Sequence, residues 1–158
     1  MNTDSSILGI AKRAIETEGN AIKNLSSLLT AEFAAAVNCI LQSNGRVVIT
    51  GVGKSALIAS KIVATFNSTG TPAIFMHAAD AIHGDLGTIL KDDVVICISK
   101  SGNTEEIKML LPLIKRGNNI LIGMTGSLDS VLAQRADYVL NTHVEKEACP
   151  NNLAPTTS

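Results

Sequence analysis

Residues Ser99-Lys100-Ser101-Gly102-Asn103-Thr104 set three hydroxyl side chains and one glycine between a run that reads as a buried strand, Val94–Ile98, and a segment that reads as a helix, Glu105–Arg116. The first turn of a helix has N–H groups without intrahelical partners, and the helix dipole adds partial positive charge there. Gly102 permits a positive φ or a close backbone approach to a ligand. Thr104 suits the N-cap position, and Ser99 and Ser101 can donate further hydrogen bonds. The chemistry this supports is a cradle for a phosphate or another compact anion. The competing reading is a capped turn that binds nothing.

A second turn of similar kind is Gly51-Val52-Gly53-Lys54-Ser55, after the strand-like Val47–Thr50. It is not a P-loop, because Val48 stands where that motif needs a further glycine. Its glycines fit the dinucleotide fingerprint formally, with Ala56 in the third place. That fingerprint expects an acidic residue at the end of the next strand, where Met76-His77 stands, so nicotinamide binding is set aside and no cofactor is expected. Lys54 reads as a point charge aimed at a phosphate or an oxyanion. Ligands of open α/β sheets bind beyond the carboxyl ends of strands, so both turns can face one pocket.

The carboxylates near these turns are Glu105 and Glu106, in the first turn of the helix after the cradle, and Glu145 and Glu147, in the polar tail beside Cys149-Pro150. Successive helical residues point about 100° apart, so at most one of Glu105 and Glu106 faces the pocket. By composition alone, Glu145 and Glu147 read as ordinary surface charges. His77, His83 and Asp85 match no standard zinc spacing, and no metal is expected.

These groups need a scaffold. The chain has 158 residues, enough for one domain with a real core. Apolar residues make up 46%, aromatics only 3%, and tryptophan is absent, so the core is aliphatic and suits a Val/Ile-rich parallel sheet covered by helices. A net charge of −1 with scattered Lys and Arg excludes a nucleic-acid field or a polybasic membrane patch. Cys39, Cys97 and Cys149 are odd in number and widely spaced, which suits reduced thiols; Cys149, in the polar tail, is the one to watch for reactivity. No apolar run is long enough to cross a bilayer and the opening Met1–Ser5 is polar, so a cytoplasmic location is expected.

In chain order, residues 5–29 carry apolar side chains at helical spacing, giving an amphipathic helix that either covers the sheet or pairs with a neighbouring subunit. Thr30 caps a second helix, with Glu32 placed for the dipole and Gly45 at its left-handed C′ position. Strands are expected at Val47–Thr50, Ala73–Met76, Val94–Ile98, Asn119–Met124 and Tyr138–Leu140. Helices are expected at 56–67, at 105–116 with a kink or break at Pro112, and from a Ser127 cap through Ala136; His77–Gly87 reads as irregular. This alternation is the βαβ signature of a parallel sheet.

Together these stretches resemble the sugar isomerase (SIS) domain, and specifically the D-arabinose 5-phosphate isomerase family. The resemblance is carried by Gly51–Ser55, Ser68-Thr69-Gly70-Thr71-Pro72-Ala73, His83-Gly84-Asp85-Leu86-Gly87, Ser99-x-Ser101-Gly102, Leu111–Arg116, Met124-Thr125-Gly126, Glu147-Ala148-Cys149-Pro150 and Leu153-Ala154-Pro155-Thr156. It implies a three-layer αβα sandwich with a five-stranded parallel sheet, flavodoxin-like. We expect one SIS domain over 1–158, with N-terminal helices over 5–43, a sheet core over 45–142 and an active-site tail over 143–158. None of the paired CBS domains that many members carry is expected.

The activity implied is interconversion of D-ribulose 5-phosphate and D-arabinose 5-phosphate through a cis-enediol(ate), feeding the 3-deoxy-octulosonate of lipopolysaccharide or capsule. Lys54 would stabilise charge, and Glu106 or Glu147 would transfer the proton, with Glu147 favoured because its loop can move over the substrate. His83 would be a polar active-site group, supplied by a neighbouring subunit. Gly53, Ser55, Ser99, Ser101, Gly102 and Thr104 would hold the phosphate. The implied partners are a phosphorylated pentose and further copies of the chain in a tetramer, without nucleic acid or membrane. Four positions depart from the family pattern: Ala56-Leu57 stand for Gly-His, Lys100 for Asn and Asn103 for Glu. The family also carries a further active-site His on a helix past Pro155. Two other readings are a non-catalytic sugar-phosphate sensor, favoured by the lack of that helix within these residues, and an isomerase of another phosphosugar. Glu106, Glu147 and Lys54 together favour the pentose isomerase.

Overall fold

The computed structural model describes residues 3–158, so Met1 and Asn2 of the polar opening lie outside the described residues. Five parallel strands, β1 (Val47–Gly51), β2 (Ala73–His77), β3 (Val94–Ile98), β4 (Ile120–Thr125) and β5 (Tyr138–Asn141), form one sheet in the order β2-β1-β3-β4-β5. The strand order reverses between β1 and β3, which opens a crevice at their carboxyl ends. Val47, Ile49 and Gly51 of β1 register with Val94, Ile96 and Ile98 of β3, so the two turns that follow leave the sheet side by side.

Alternate strand residues point to opposite faces. Val48, Met76, Val95, Cys97 and Leu121 meet Ala78 and Ala81 of α4 (Ala78–Ile82), Ile107, Leu110, Leu111 and Ile114 of α5 (Glu105–Arg116), and Leu132 of α6 (Val131–Arg135). On the other face, Val47, Ile49, Val94, Ile96 and Ile122 meet Ala36 of α2 (Ala31–Gln42) and Ala59 of α3 (Lys54–Ser68). The three layers and the aliphatic core follow the sequence expectation.

The first helix, α1 (Thr3–Leu28), does not cover the sheet, and Ile7, Leu8, Ile15 and Ile22 remain exposed along it. From Arg13 onward it shares a cleft with His143, Val144, Glu145 and Lys146 of the tail, and near its end Leu25 and Leu28 line a smaller cavity with Met124 and Leu140. Thr30 caps α2 by accepting the Glu32 N–H at 3.3 Å. The Glu32 carboxylate also accepts the Val139 N–H of β5 at 2.6 Å, a contact the dipole argument did not foresee. No single helix among the described residues is long and apolar enough to cross a membrane.

Several local expectations are corrected. Gly45 is not left-handed: α2 ends on an extended Ser43, and Gly45 instead lies so close to the Asp92 carbonyl that a Cβ would fall 2.2 Å from its oxygen. Helix α3 begins at Lys54, because Gly53 takes the N-cap and leaves Lys54 and Ser55 in the first turn. The stretch 77–87 is partly helical, with α4 followed by a 3₁₀ turn over Asp85–Thr88. Helix α5 runs through Pro112 without a break, since Pro112 is exposed and the carbonyl it leaves free, that of Lys108, belongs to the solvent side. Ser130, not Ser127, caps α6: its Oγ accepts the Ala133 N–H at 3.2 Å and donates to the Ser127 carbonyl at 2.7 Å.

The end of the sheet opposite the crevice is held by polar contacts. Asp93 is buried and takes the Arg46 guanidinium at 2.7 Å, the Arg46 N–H at 2.8 Å and the Leu90 N–H at 2.9 Å. Burial pushes its pKa up, but these hydrogen bonds and the Arg46 charge outweigh that and hold it below the ordinary value.

Candidate active site

Beyond β3 the chain makes a turn that α6 and β4 fix from behind. Ser99 is buried, and its N–H donates to the Met124 carbonyl at 3.0 Å. Gly102 is buried with φ 64°, and a Cβ there would lie 2.2 Å from Ser130 Oγ and 2.9 Å from Thr125 Oγ1. The Gly102 carbonyl accepts the Leu132 N–H at 3.1 Å, and Asn103 Oδ1 accepts the Val131 N–H at 2.9 Å. Asn103, which departs from the family pattern, thus joins the cradle to the start of α6.

The Ser99 and Ser101 hydroxyls line the crevice cavity with protons to give. Ser99 Oγ accepts the Gly102 N–H at 3.1 Å and Ser101 Oγ accepts the Asn103 N–H at 3.3 Å, so each O–H remains available as a donor. Thr104 occupies the N-cap of α5, but its side chain makes no capping bond, contrary to the expectation that it would. Ser55, in the first turn of α3, joins Ser99, Ser101 and Thr104 around a cavity of ≈ 300 Å³ at the β1/β3 crevice, closed on its apolar side by Val52, Ile98 and Ile107. Gly53 shapes the α3 entry with φ 57° and ψ −125°, a sparsely populated region that costs a side-chain-bearing residue about 1–3 kcal/mol.

Lys100 also lines this cavity, and nothing in the residue reading assigned it a role. Its ammonium is hydrogen-bonded to Glu147 Oε1. Glu147 is buried, not the surface charge that composition suggests, and Ser158 Oγ donates to the same oxygen at 2.5 Å. The other oxygen accepts the N–H groups of Thr156 at 2.8 Å, Thr157 at 2.7 Å and Ser158 at 3.3 Å. The Glu147 N–H in turn donates to Asn152 Oδ1 at 2.9 Å. The loop expected to move over the substrate is therefore tied down by its own carboxylate. Burial acts to raise the Glu147 pKa, but the bonds from Lys100, Ser158, Thr157 and Thr156 outweigh it and hold the carboxyl well below the usual carboxylate range. A cation placed among three hydroxyls was the one signal in the sequence that could have marked Lys100.

Lys54, Glu106 and His83 do not line this cavity. Lys54 is exposed at the start of α3, adjacent to Ser55. Glu105 turns outward to Lys108 at 2.8 Å, and Glu106 is half-buried and makes no ion pair among the described residues, so the two glutamates diverge as the helical geometry requires. His83 is exposed at the C-cap of α4, outside the cavity. His77 is half-buried at the end of β2, edge-on to Phe75, with Nδ1 buried and unpartnered. Among the described residues, no group of three or more His, Cys, Asp or Glu side chains is arranged to hold a metal ion.

A turn-and-hydroxyl site at the strand-order switch of a doubly wound sheet is a fold-level observation, and comparison with known proteins decides the family. The SIS domain model matches residues 40–158. The chain belongs to the SIS domain family. Among SIS proteins with curated names, it is 49% identical over 151 residues to the "Probable arabinose 5-phosphate isomerase" of Haemophilus influenzae, covering 96% of this chain and 45% of the relative. It is 48% identical over 158 residues to "Arabinose 5-phosphate isomerase KdsD" of Pseudomonas aeruginosa, covering 100% of this chain and 48% of the relative. The chain thus spans about half the length of the curated relatives it matches. Among solved SIS structures, the c3406 protein of E. coli CFT073 in complex with arabinose 5-phosphate superimposes with a TM-score of 0.93 at 43% identity, covering 100% of this chain and 83% of that one.

Proposed function

We propose that this SIS domain is the catalytic unit of an arabinose 5-phosphate isomerase, interconverting D-ribulose 5-phosphate and D-arabinose 5-phosphate. The observation that carries the reading is the cavity ringed by Ser55, Ser99, Ser101 and Thr104, with the Glu147 carboxylate tied to its wall through Lys100. The curated relatives named as arabinose 5-phosphate isomerases, and the solved relative whose complex holds arabinose 5-phosphate, support the choice of pentose.

In this reading the hydroxyls donate to the phosphate and fix one end of the sugar. A general base removes the proton from the carbon beside the carbonyl, giving a cis-enediol(ate), and returns it to the neighbouring carbon; the carbonyl oxygen gains the proton lost by the adjacent hydroxyl. Lys54 stabilises the developing oxyanion. Glu147 or Glu106 is the base, and His83 is a polar contact contributed by a neighbouring copy. The exposed apolar residues of α1, with Phe33 and Val37 of α2, support association of copies into a tetramer. The reading places the enzyme in the cytoplasm, supplying 3-deoxy-octulosonate synthesis, and needs no cofactor.

The test is to incubate the purified protein with ribulose 5-phosphate and follow arabinose 5-phosphate directly. Absence of product with phosphosugar binding retained would replace the isomerase by a sugar-phosphate sensor. Roles are separated by Glu147→Gln, which should stop exchange of solvent hydrogen into the reacting carbon without weakening phosphosugar binding. Exchange at the wild-type rate would pass the base role to Glu106.

A further inference from the structure

Lys100 stands between two anionic demands. It is the only cation on the wall of the hydroxyl cavity among the described residues, and its ammonium is engaged by Glu147. The Lys100 backbone cannot shift to serve both, because its carbonyl accepts the Gly126 N–H at 3.0 Å and the Thr125 hydroxyl at 3.2 Å. The side chain is different: it is 54% exposed, while that of Glu147 is 3% exposed. A flexible stem on a fixed backbone lets the ammonium swing while the carboxylate stays put.

The rest of the cavity offers neutral donors, the hydroxyls of Ser55, Ser99, Ser101 and Thr104. A phosphate dianion seated among them carries about twice the charge of the Glu147 carboxylate and competes with it for the Lys100 ammonium. Glu147 would keep its bonds from Ser158 Oγ and from the N–H groups of Thr156, Thr157 and Ser158. Among the described residues, Lys100 is the one charged group that meets the carboxylate.

We propose that Lys100 is a positioning residue shared between the phosphate cradle and Glu147, so that an anion seated in the cradle loosens the Lys100–Glu147 clasp. This rests on the reading of the cavity as a phosphosugar site. It gives the reaction an order: the carboxylate is held quiet by the ammonium until the phosphate arrives, and it becomes a stronger base when the ammonium leaves it. By linkage, removing the Glu147 charge strengthens anion binding, and it does so through Lys100.

The experiment is a double-mutant cycle read by calorimetric binding of inorganic phosphate and of arabinose 5-phosphate at fixed pH and low ionic strength, using wild type, Lys100→Met, Glu147→Gln and the double variant. Glu147→Gln is expected to bind either ligand about tenfold more tightly, and Lys100→Met about tenfold more weakly, from the strength of one charge-assisted hydrogen bond. The double variant should match Lys100→Met within about twofold. An equal gain from Glu147→Gln in both backgrounds would overturn the proposal, because the coupling would then be direct repulsion and not sharing. So would wild-type binding by Lys100→Met.

Should a variant fail to fold, the wild-type protein answers alone. The ¹³Cδ resonance of Glu147 should titrate at higher pH with saturating phosphate than without it, and an unmoved midpoint overturns the proposal. These readouts are binding and titration, so a protein that shows the coupling without turnover refutes the isomerase and leaves the shared lysine standing.

Discussion

Gly102→Ala tests the cradle's construction. The added Cβ meets two separate obstacles. The residue has φ 64°, and holding an L side chain there costs about 1–2 kcal/mol. The methyl also falls 2.2 Å from Ser130 Oγ and 2.5 Å from Ser130 Cβ, and overpacking a tight site costs about 1–3 kcal/mol. Ser130 cannot yield freely, because it is buried and caps α6. The total expected loss is about 2–5 kcal/mol, and a domain of this length loses roughly 2–4 °C in Tm per kcal/mol. Chemical and thermal denaturation of Gly102→Ala would show a drop of at least about 4 °C, with phosphate binding lost as the hydroxyls shift. Ser130→Gly removes the two nearest clashing atoms, leaves Thr125 Oγ1 at 2.9 Å, and should cost roughly a few tenths of a kcal/mol by itself, since glycine also serves as an N-cap. In the double variant most of the packing share should be recovered, while the backbone share and the Thr125 Oγ1 contact remain, leaving a coupling of about 1–3 kcal/mol. Strict additivity of the two substitutions would refute the steric argument, and a Gly102→Ala protein as stable as wild type would refute both.

Asp93→Asn should destabilise the fold by about 2–3 kcal/mol, less than a fully buried pair because Arg46 is partly open to water. The Asp93 pKa is lower in the folded chain than unfolded, so its contribution is complete above the ordinary carboxylate value and lost as pH falls through the folded one. Urea unfolding between pH 7 and about 3 should therefore show wild type losing stability at the acid end while Asp93→Asn responds more weakly. Pro112→Ala restores a donor for the Lys108 carbonyl at an exposed helical position and should stabilise the protein by about 1–3 kcal/mol in the same assay. Alkylation followed by peptide mass spectrometry should modify Cys149 first, since backbone hydrogen bonds from Ala154, Leu153 and Asn151 lower its pKa. Cys97 should react only on unfolding, because burial pushes its thiol up to about 12.

The elements that alternate by hydrophobic pattern are all legible in the residues: β3 reads as a continuous apolar run because both its faces are covered, and the N-terminus of α5 is marked by its hydroxyls and paired glutamates. What escapes depends on distant pairings. Lys100 and Glu147 are 47 residues apart, and the burial of Glu147 arises from backbone donors in a segment without regular structure. No local pattern distinguishes such a carboxylate from a surface one. The cap of α6 falls to the farther serine, because the residue types show that Ser127 and Ser130 both can cap and not which one faces Ala133. Gly45 suits a helix end by type, whereas the Asp92 backbone opposite it is the reason a side chain does not fit.

The Glu32 carboxylate on the Val139 N–H has a consequence for how this protein can meet others. β5 is an edge strand, and an open edge invites any extended chain to continue the sheet. Here one of the donors such a chain would need is already taken, and the acceptor taking it is an anion carried on a helix. A strand approaching β5 would have to displace that helix-borne charge before its first bond could form. Growth of the sheet on this side is thereby hindered at Val139.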